Sequence, residues 1–496
     1  MIAPRHGPTT TCAAALAAGA LLAAACGGAR VARAPAPSDR GCTVAGERPS
    51  SDSASVVLTW PVDPRNAPRA TNPGERFVFD LGYETLVRLD CLGRVMPALA
   101  SSWTAVDDGL RLHLTLRDSA RFWNGDPVAA GDVIASWRAA GYARLAAAAV
   151  ALSGRVLQVD CAVLEPAPSG NCPVLAALGH GELAVARRSP GNAWPDGTGP
   201  YRIRELAPAG AGRARRPALT LDPVRGGDLP RLTIHSVTDA DARDLIDAGI
   251  HLMLTEDPAL ATYASARSEL ASLVLPWDRT WALVTAARRT PAGPGEPPPG
   301  LDPDSIALRT RAARVALARD VVRAEARAAE GPYWWGDLTA CTASGAAGNS
   351  PSERVESRLA ARSDQPVARA LAERLVALAA MGRGGSDSLL TALAPLGFAL
   401  GPRSTAISLT PNDFAASLRS GAEVTYVVAL PRHSLDPCLD AERVIAAAPW
   451  LASDLSRHGS LVAMVPLVET RLRAVVRRDW PGLTMTWDST ITISSR

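Results

Sequence analysis

The chain has 496 residues, 47% of them apolar and 20% charged, with a formal charge of +3; this length fits about two to four domains and the apolar share excludes disorder throughout. So small a charge gives no sign of the strongly basic face that a nucleic-acid partner requires. All 52 Lys+Arg positions are arginine, which removes every mechanism built on a lysine amine: a Walker-A loop, a pyridoxal Schiff base or a Ser–Lys dyad.

Arg5 and His6 precede an apolar run over 12–25, followed by Cys26. The run is shorter than the roughly 20 residues of a membrane-spanning helix and fits the apolar region of an export signal. Cys26 after Leu22-Ala23-Ala24-Ala25 resembles a bacterial lipoprotein processing site, where the thiol is lipidated. Ala23 departs from the Leu usual three residues before that cysteine, so an ordinary Ala-x-Ala cleavage site stays open. Residues 27–54 are rich in Gly, Ala, Pro and Ser without periodicity and read as a flexible tether. No other segment is long and apolar enough to span a bilayer.

After Cys26 come Cys42, Cys91, Cys161, Cys172, Cys341 and Cys438. An even number in an oxidising compartment points to disulfides, with scattered free thiols as the alternative. Cys161 and Cys172 flank a short Pro/Gly/Asn loop and are the first expected pair; Cys341 with Cys438 is the second. None has zinc-ligand spacing.

The first strand is expected at Val56–Trp60, stopped by Pro61. Phe77–Leu89 reads as a helix passing into a strand. Leu110, Leu112, Leu114 and Leu116 alternate with polar residues and predict a strand with one wet face. A turn at Phe122–Pro127 precedes a helix over Val128–Ala140. A strand at Val156–Val163, a short helix at Leu175–Val185, a turn at Gly197–Tyr201 and a strand at Arg202–Leu206 follow. Strands at Leu232–Val237 and Ile250–Leu254 bracket a helix at Asp239–Ala248 ended by Gly249. Beyond the proline-rich loop 290–304, helices are expected at Ser305–Glu330, Val367–Ala380, Leu389–Phe398 and Asp413–Arg419. A strand is expected at Val424–Leu430, and Leu483–Ile493 alternates like one more. Strands alternating with helices argue an α/β fold.

No catalytic constellation is legible. Ser189, Ser236 and Ser434 lack a Gly-x-Ser-x-Gly elbow, and no two of the seven histidines stand at metal-ligand spacing. Asp107-Asp108 and Asp239-Ala240-Asp241 read as turn or helix-start acids. No enzymatic activity, cofactor or metal is expected.

Several blocks stand in a distinctive order. Tyr83-Glu84-Thr85-Leu86-Val87 is followed by Gly93–Trp103, the alternating strand, Leu116–Phe122, Asn124–Val128, Asp132-Val133 and Ser136-Trp137. Gly197-Thr198-Gly199-Pro200-Tyr201 comes about sixty residues on. This run resembles the family 5 extracellular solute-binding proteins, the oligopeptide, dipeptide and nickel receptors of ABC importers. The resemblance is strong over 83–137 and looser to 496, where Asp244–Leu254, Asp278–Val284, Ile306–Val321, Val424–Cys438 and Val462–Arg471 are similar to later family blocks.

The resemblance implies a two-lobed periplasmic-binding-protein-like fold of type II, in the large peptide-receptor subclass, with two crossover strands. The expected organisation is a lipoprotein signal at 1–25 and a tether at 26–54. A first lobe at 55–278 includes a small subdomain about 110–195. A second lobe at 279–468 precedes a return to the first lobe at 469–496. It implies an exported monomer, lipid-anchored to the envelope, that delivers a small or peptide-like solute to an ABC permease by lobe closure. Expected ligand-binding residues are Tyr83, Glu84 and Thr85 near the cleft, and Trp277, Arg279 and Trp281 at its floor. His433 and Asp436 join them from the second lobe. Trp334 and Trp335 are weaker candidates there.

The chain also departs from the family pattern. Ala129 stands where a capping Thr is usual, and Gly131 follows in the first turn. His251 replaces an acidic residue. His433 stands where peptide-binding members can place an aspartate on the peptide's amino group, and an imidazole cannot serve as that anion. These departures leave a second reading: a degenerate relative serving as a structural or interaction lipoprotein of the envelope.

Overall fold

The computed structural model describes residues 42–45, 52–161, 174–205, 218–224, 229–237, 242–285, 317, 321, 356, 358–381, 400–422, 425–431, 464–480, 483–488 and 490–493; for 43–45, 218, 258, 276–278, 285, 431 and 464–466 it describes the backbone alone. The signal, most of the tether, Cys26, Cys172, Cys341, Cys438, His433, Asp436, Trp334, Trp335, the expected helix at 389–398 and nearly all of that at 305–330 lie outside the described residues.

β1 (Thr43–Ala45) precedes β2 (Ser53–Leu58). Val56, Val57 and Leu58 of β2 are fully buried, because the strand lies between two parallel neighbours with both faces covered. Helix α1 (Pro73–Gly82) begins four residues before the expected start. Pro73 occupies the first turn and the Asn72 side chain accepts the Glu75 N–H at 2.9 Å, an N-cap that the apolar pattern alone does not reveal. The hairpin β3 (Val87–Leu89) and β4 (Val95–Pro97) follows.

β5 (Ala100–Val106), β6 (Arg111–Leu116), β7 (Ala149–Ala151) and β8 (Val156–Asp160) form an antiparallel sheet in the order β5-β6-β8-β7. Leu112, Leu114 and Leu116 point into its core. Leu110, expected among them, lies outside the strand and is 49% exposed; the turn at Asp107–Gly109 ends just before it. Helices α2 (Ala130–Ala139) and α3 (Ala143–Ala147) connect β6 to β7. Ala129 provides no cap for α2, but the Asp132 carboxylate accepts the Ala129 N–H at 2.9 Å, which is half of a capping box.

After α4 (Val174–Ala177) come β9 (Tyr201–Glu205), β10 (Ala218–Pro223), β11 (Arg231–Ser236), α5 (Arg243–Asp247), β12 (Leu252–Thr255) and α6 (Pro258–Ser265). Gly249 ends the α5 segment with φ +91, as expected. Then come β13 (Leu270–Thr285), β14 (Arg358–Arg362), α7 (Pro366–Met381), β15 (Thr405–Leu409), α8 (Pro411–Ser420), β16 (Thr425–Pro431) and β17 (Met464–Arg477). A single ten-stranded mixed sheet runs β15-β14-β16-β13-β17-β12-β2-β11-β10-β9.

β13 and β17 join two cores. Leu275, Leu472, Ala474 and Val476 pack with β2, β9, β12 and α1. Trp281, Leu283, Leu467 and Val468 pack with β14, α7 and Val427 of β16. A third core fills the four-stranded sheet around Trp103, Phe122 and Trp137.

The C-terminal segment corrects the single strand expected there. It folds as β18 (Leu483–Met485) and β19 (Ile491–Ile493), an antiparallel pair with β1 added on the other edge of β18. A disulfide between Cys42 and Cys91 ties that platform down. Sequence spacing gave no reason to select this pair. Cys161 is also disulfide-bonded.

Candidate functional site

The Tyr83-Glu84-Thr85 segment leaves α1 in extended conformation and is clamped by the Gly197–Tyr201 turn. The Gly199 N–H donates to Gly82 O at 2.9 Å and the Trp123 N–H to Gly197 O at 2.9 Å. The Glu84 N–H donates to Thr198 Oγ1 at 3.0 Å. A Cβ on Gly199 would stand 2.5 Å from Leu81 O, and one on Gly197 2.5 Å from Trp123 Cζ2. Only glycine permits this approach, which gives the Gly-Thr-Gly-Pro-Tyr block a physical purpose.

Within the clamp the three expected ligand residues bond to the protein itself. Tyr83 is 3% exposed, and its hydroxyl donates to Pro195 O at 3.3 Å. Burial pushes that hydroxyl well above the usual tyrosine range. Glu84 is held by Arg117, whose Nη2 donates to its two oxygens at 3.0 and 2.6 Å while Nη1 donates to Ala98 O at 2.6 Å. Thr85 Oγ1 donates to Val87 O.

A second group forms where β13 passes the C-terminal ends of the parallel strands β2 and β12, the edge at which open α/β sheets gather ligands. Thr59 Oγ1 lies 3.4 Å from Thr255 Oγ1, and Ser236 Oγ donates to Trp60 O at 2.6 Å. Glu256 follows Thr255, and its Oε1 stands 3.0 Å from Arg279 Nη2; the two side chains are 23% and 9% exposed. The Arg279 guanidinium lies 5.6 Å from the Trp281 ring centroid. Trp281 is buried, and its Nε1 donates to Thr470 Oγ1 at 3.2 Å. The structure thus brings Arg279 and Trp281 together. Trp277 lies on the same strand, with its backbone alone described. Thr59, Trp60 and Glu256 escaped sequence reasoning. The signal available was their place just after two apolar runs, once those runs are recognised as parallel strands.

The β13–β17 ladder is irregular here. Val274 pairs with Arg473 and Asp278 with Arg471, so three residues of β13 oppose the single Leu472. A second shift between Trp281 and Ala282 leaves Leu467 extra on β17. Such bulges bend a strand and locally interrupt its hydrogen bonds.

Residues 94–214 match the family described as bacterial extracellular solute-binding proteins, family 5, middle region. Over that stretch the chain is similar to that family. The nickel-binding periplasmic protein of Escherichia coli (strain K12) is 38% identical over 86 residues, a stretch covering 17% of this chain and 16% of that protein. The substrate-binding domain of an oligopeptide ABC transporter from Bacillus anthracis str. Ames superposes with a TM-score of 0.55 at 12% identity, covering 90% of this chain and 100% of that one. NikA from Staphylococcus aureus, solved with Ni(L-His)2, gives 0.52 at 13% identity, covering 90% and 100%. At such identity these structures speak for the fold alone: the type II, two-lobed architecture of family 5.

One departure from the family 5 pattern, His251, and one buried acid, Asp80, acquire a structural setting. At His251 the Ser55 N–H donates to Nδ1 at 3.2 Å, and Arg477 Nη1 stands 3.2 Å from Nε2. Burial and the Arg477 charge hold the imidazole below its ordinary pKa, so the neutral ring fits where an acid is usual. Asp80 of α1 faces Asp488 beyond β18; burial and that like charge push its pKa up to about 7 against the opposing pull of Arg76. Among the described residues, no cluster of three His, Cys, Asp or Glu side chains is arranged to hold a metal ion.

Proposed function

We propose that this chain is an extracytoplasmic receptor that captures a small organic solute between two lobes and presents it to an ABC permease. The observation that carries the reading is the course of β13 and β17. Two long strands run between two separate cores and break their ladder at the passage. A sheet interrupted there bends more easily than a regular one, so the lobes can close by a hinge. The lobes take the bounds 55–278 and 279–468, with 469–496 returning to the first. Export through 1–25 and lipidation at Cys26 put the receptor on the outer face of a membrane as a monomer, and the tether expected over 26–54 is shortened to 26–41, because Cys42 and β1 are tied to the folded body and Ser53 already starts β2.

The cleft floor consists of Thr59, Trp60, Thr255, Glu256, Arg279 and Trp281, and Trp277, His433 and Asp436 are the further ligand residues that the family resemblance implies. Arg279 and Glu256 pair with each other at 3.0 Å, and a polar solute can join that pair by hydrogen bonds to either group. Tyr83, Glu84 and Thr85 act at one remove, by fixing the wall of the first lobe. The absence of an aspartate at His433 argues against an unmodified peptide amino group as the main anchor.

A second reading has one observation in its favour. Tyr83, Glu84, Thr85 and Trp281 all spend their polar groups on protein partners, as expected of an envelope lipoprotein with a structural or interaction role and no solute. Native mass spectrometry of the mature chain, secreted in its source cell and purified without denaturation, separates the two. The receptor reading expects a mass excess that vanishes on unfolding and names the solute class by fragmentation. A bare mass that gains nothing from cell extract or a broad solute panel contradicts it.

A further inference from the structure

A cavity of about 370 Å³ opens at the outer end of the crossing strands, far from Arg279. Leu270 and Arg477, which line it, are register partners at the start of β13 and the end of β17. Eight residues of β13 lie between Leu270 and Arg279, about 30 Å of strand. Ile246, Ile250 and Leu270 form an apolar floor, each 2% exposed. Charged residues form the rim.

Two of the rim charges are spent. Arg477 Nε and Nη2 donate to the Asp479 carboxylate at 2.6 Å each. The other two are not. Arg478 Nε donates to Ser268 O at 2.9 Å, and its N–H donates to Glu269 O at 2.9 Å. No described carboxylate pairs with its guanidinium. Glu269 receives a long 3.5 Å contact from Ser268 Oγ and forms no salt bridge among the described residues, although its charge acts on Arg477. A cation and an anion with no salt bridge of their own among the described residues therefore flank an apolar floor in a cavity of small-molecule size.

We propose that this cavity is a second ligand site, for a free amino acid with an aliphatic side chain. The ligand carboxylate meets Arg478, its ammonium meets Glu269, and its side chain covers Ile246, Ile250 and Leu270. This site is independent of the solute cleft and does not rest on the receptor reading.

The test is isothermal titration of the full mature chain with L-leucine, N-acetyl-leucine and leucinamide. The last two each lack one charge. Glu269→Gln and Arg478→Gln are titrated alongside; both positions are exposed, so melting temperatures should match the parent and show that the variants fold. The expected result is saturable binding of L-leucine, weakened about tenfold or more by loss of either ligand charge or either side-chain charge. Failure of L-leucine to saturate overturns the proposal. Leucine binding unchanged in both variants also overturns it, since the amino acid then binds elsewhere. Equal binding of all three probes refutes the zwitterion.

Discussion

The clamp around Tyr83–Thr85 and the crossing of β13 with β17 are built on opposite principles. In the clamp, Gly82, Gly197 and Gly199 let backbones approach until a single added carbon would collide. In the crossing, two register shifts loosen a ladder that is otherwise long and regular. The comparison teaches that the rigid wall and the bendable joint of one protein can be told apart by where backbone spacing is over-determined and where it is relaxed.

The strongest way to break the contrast is to fill the clamp. Gly199→Val places carbon against Leu81 O and Gly82 and should cost about 3 kcal/mol or more, measured by urea unfolding of the parent and variant. A change below about 1 kcal/mol would mean that the wall is not rigid. Next is the crossing. Trp281→Phe removes the donor to Thr470 Oγ1 and leaves a buried hydroxyl short of one partner, for a loss of about 1–2 kcal/mol. The account expects faster amide exchange over 278–284 and at 468–471, with the 83–89 segment unchanged.

Charge offers a subtler contrast. Asp80 has a folded-state pKa of about 7, raised above the ordinary aspartate value of 3.8, so the fold holds its proton more tightly. Its contribution is fully present below the lower value and is lost as pH rises through about 7. His251 runs the other way: its folded pKa is lowered from 6.5, so stability falls as pH drops below that value. Asp80→Asn should stabilise the protein by about 1–2 kcal/mol at pH 8 and leave pH 4 nearly unaffected. His251→Gln should flatten the acid side. Melting temperatures across pH 4–8 read both, and equal slopes in parent and variants would refute the assignments.

Glu84 and Arg117 give a smaller effect. Their side chains are 21% and 23% exposed, so solvent screens the pair. A double-mutant cycle should return a coupling near 1 kcal/mol, while zero would release Glu84 for a ligand. The smallest gain comes from α2. Nothing lies within 4 Å of a Cβ on Gly131, and Gly131→Ala should stabilise by about 0.5–1 kcal/mol.

Much of the first lobe was legible because its signals are local. The alternation of Leu112, Leu114 and Leu116, the Gly249 stop and the Gly-Thr-Gly-Pro-Tyr turn each report their own conformation. What stayed hidden depends on distant partners. Cys42 meets Cys91 only because β1 joins the C-terminal hairpin. Glu84 was expected to meet a ligand because its partner Arg117 lies 33 positions away. Glu256 became a candidate only when β12 proved parallel to β2, which placed its end beside Arg279.

The central claim is that the lobes close on a solute by bending at the broken ladder of β13 and β17. Small-angle scattering of the mature chain tests it, comparing protein with its native solute retained against protein unfolded, stripped and refolded. The account predicts a smaller radius of gyration with solute and a return to the open value after stripping. Superimposable curves from solute-loaded and stripped protein would contradict it.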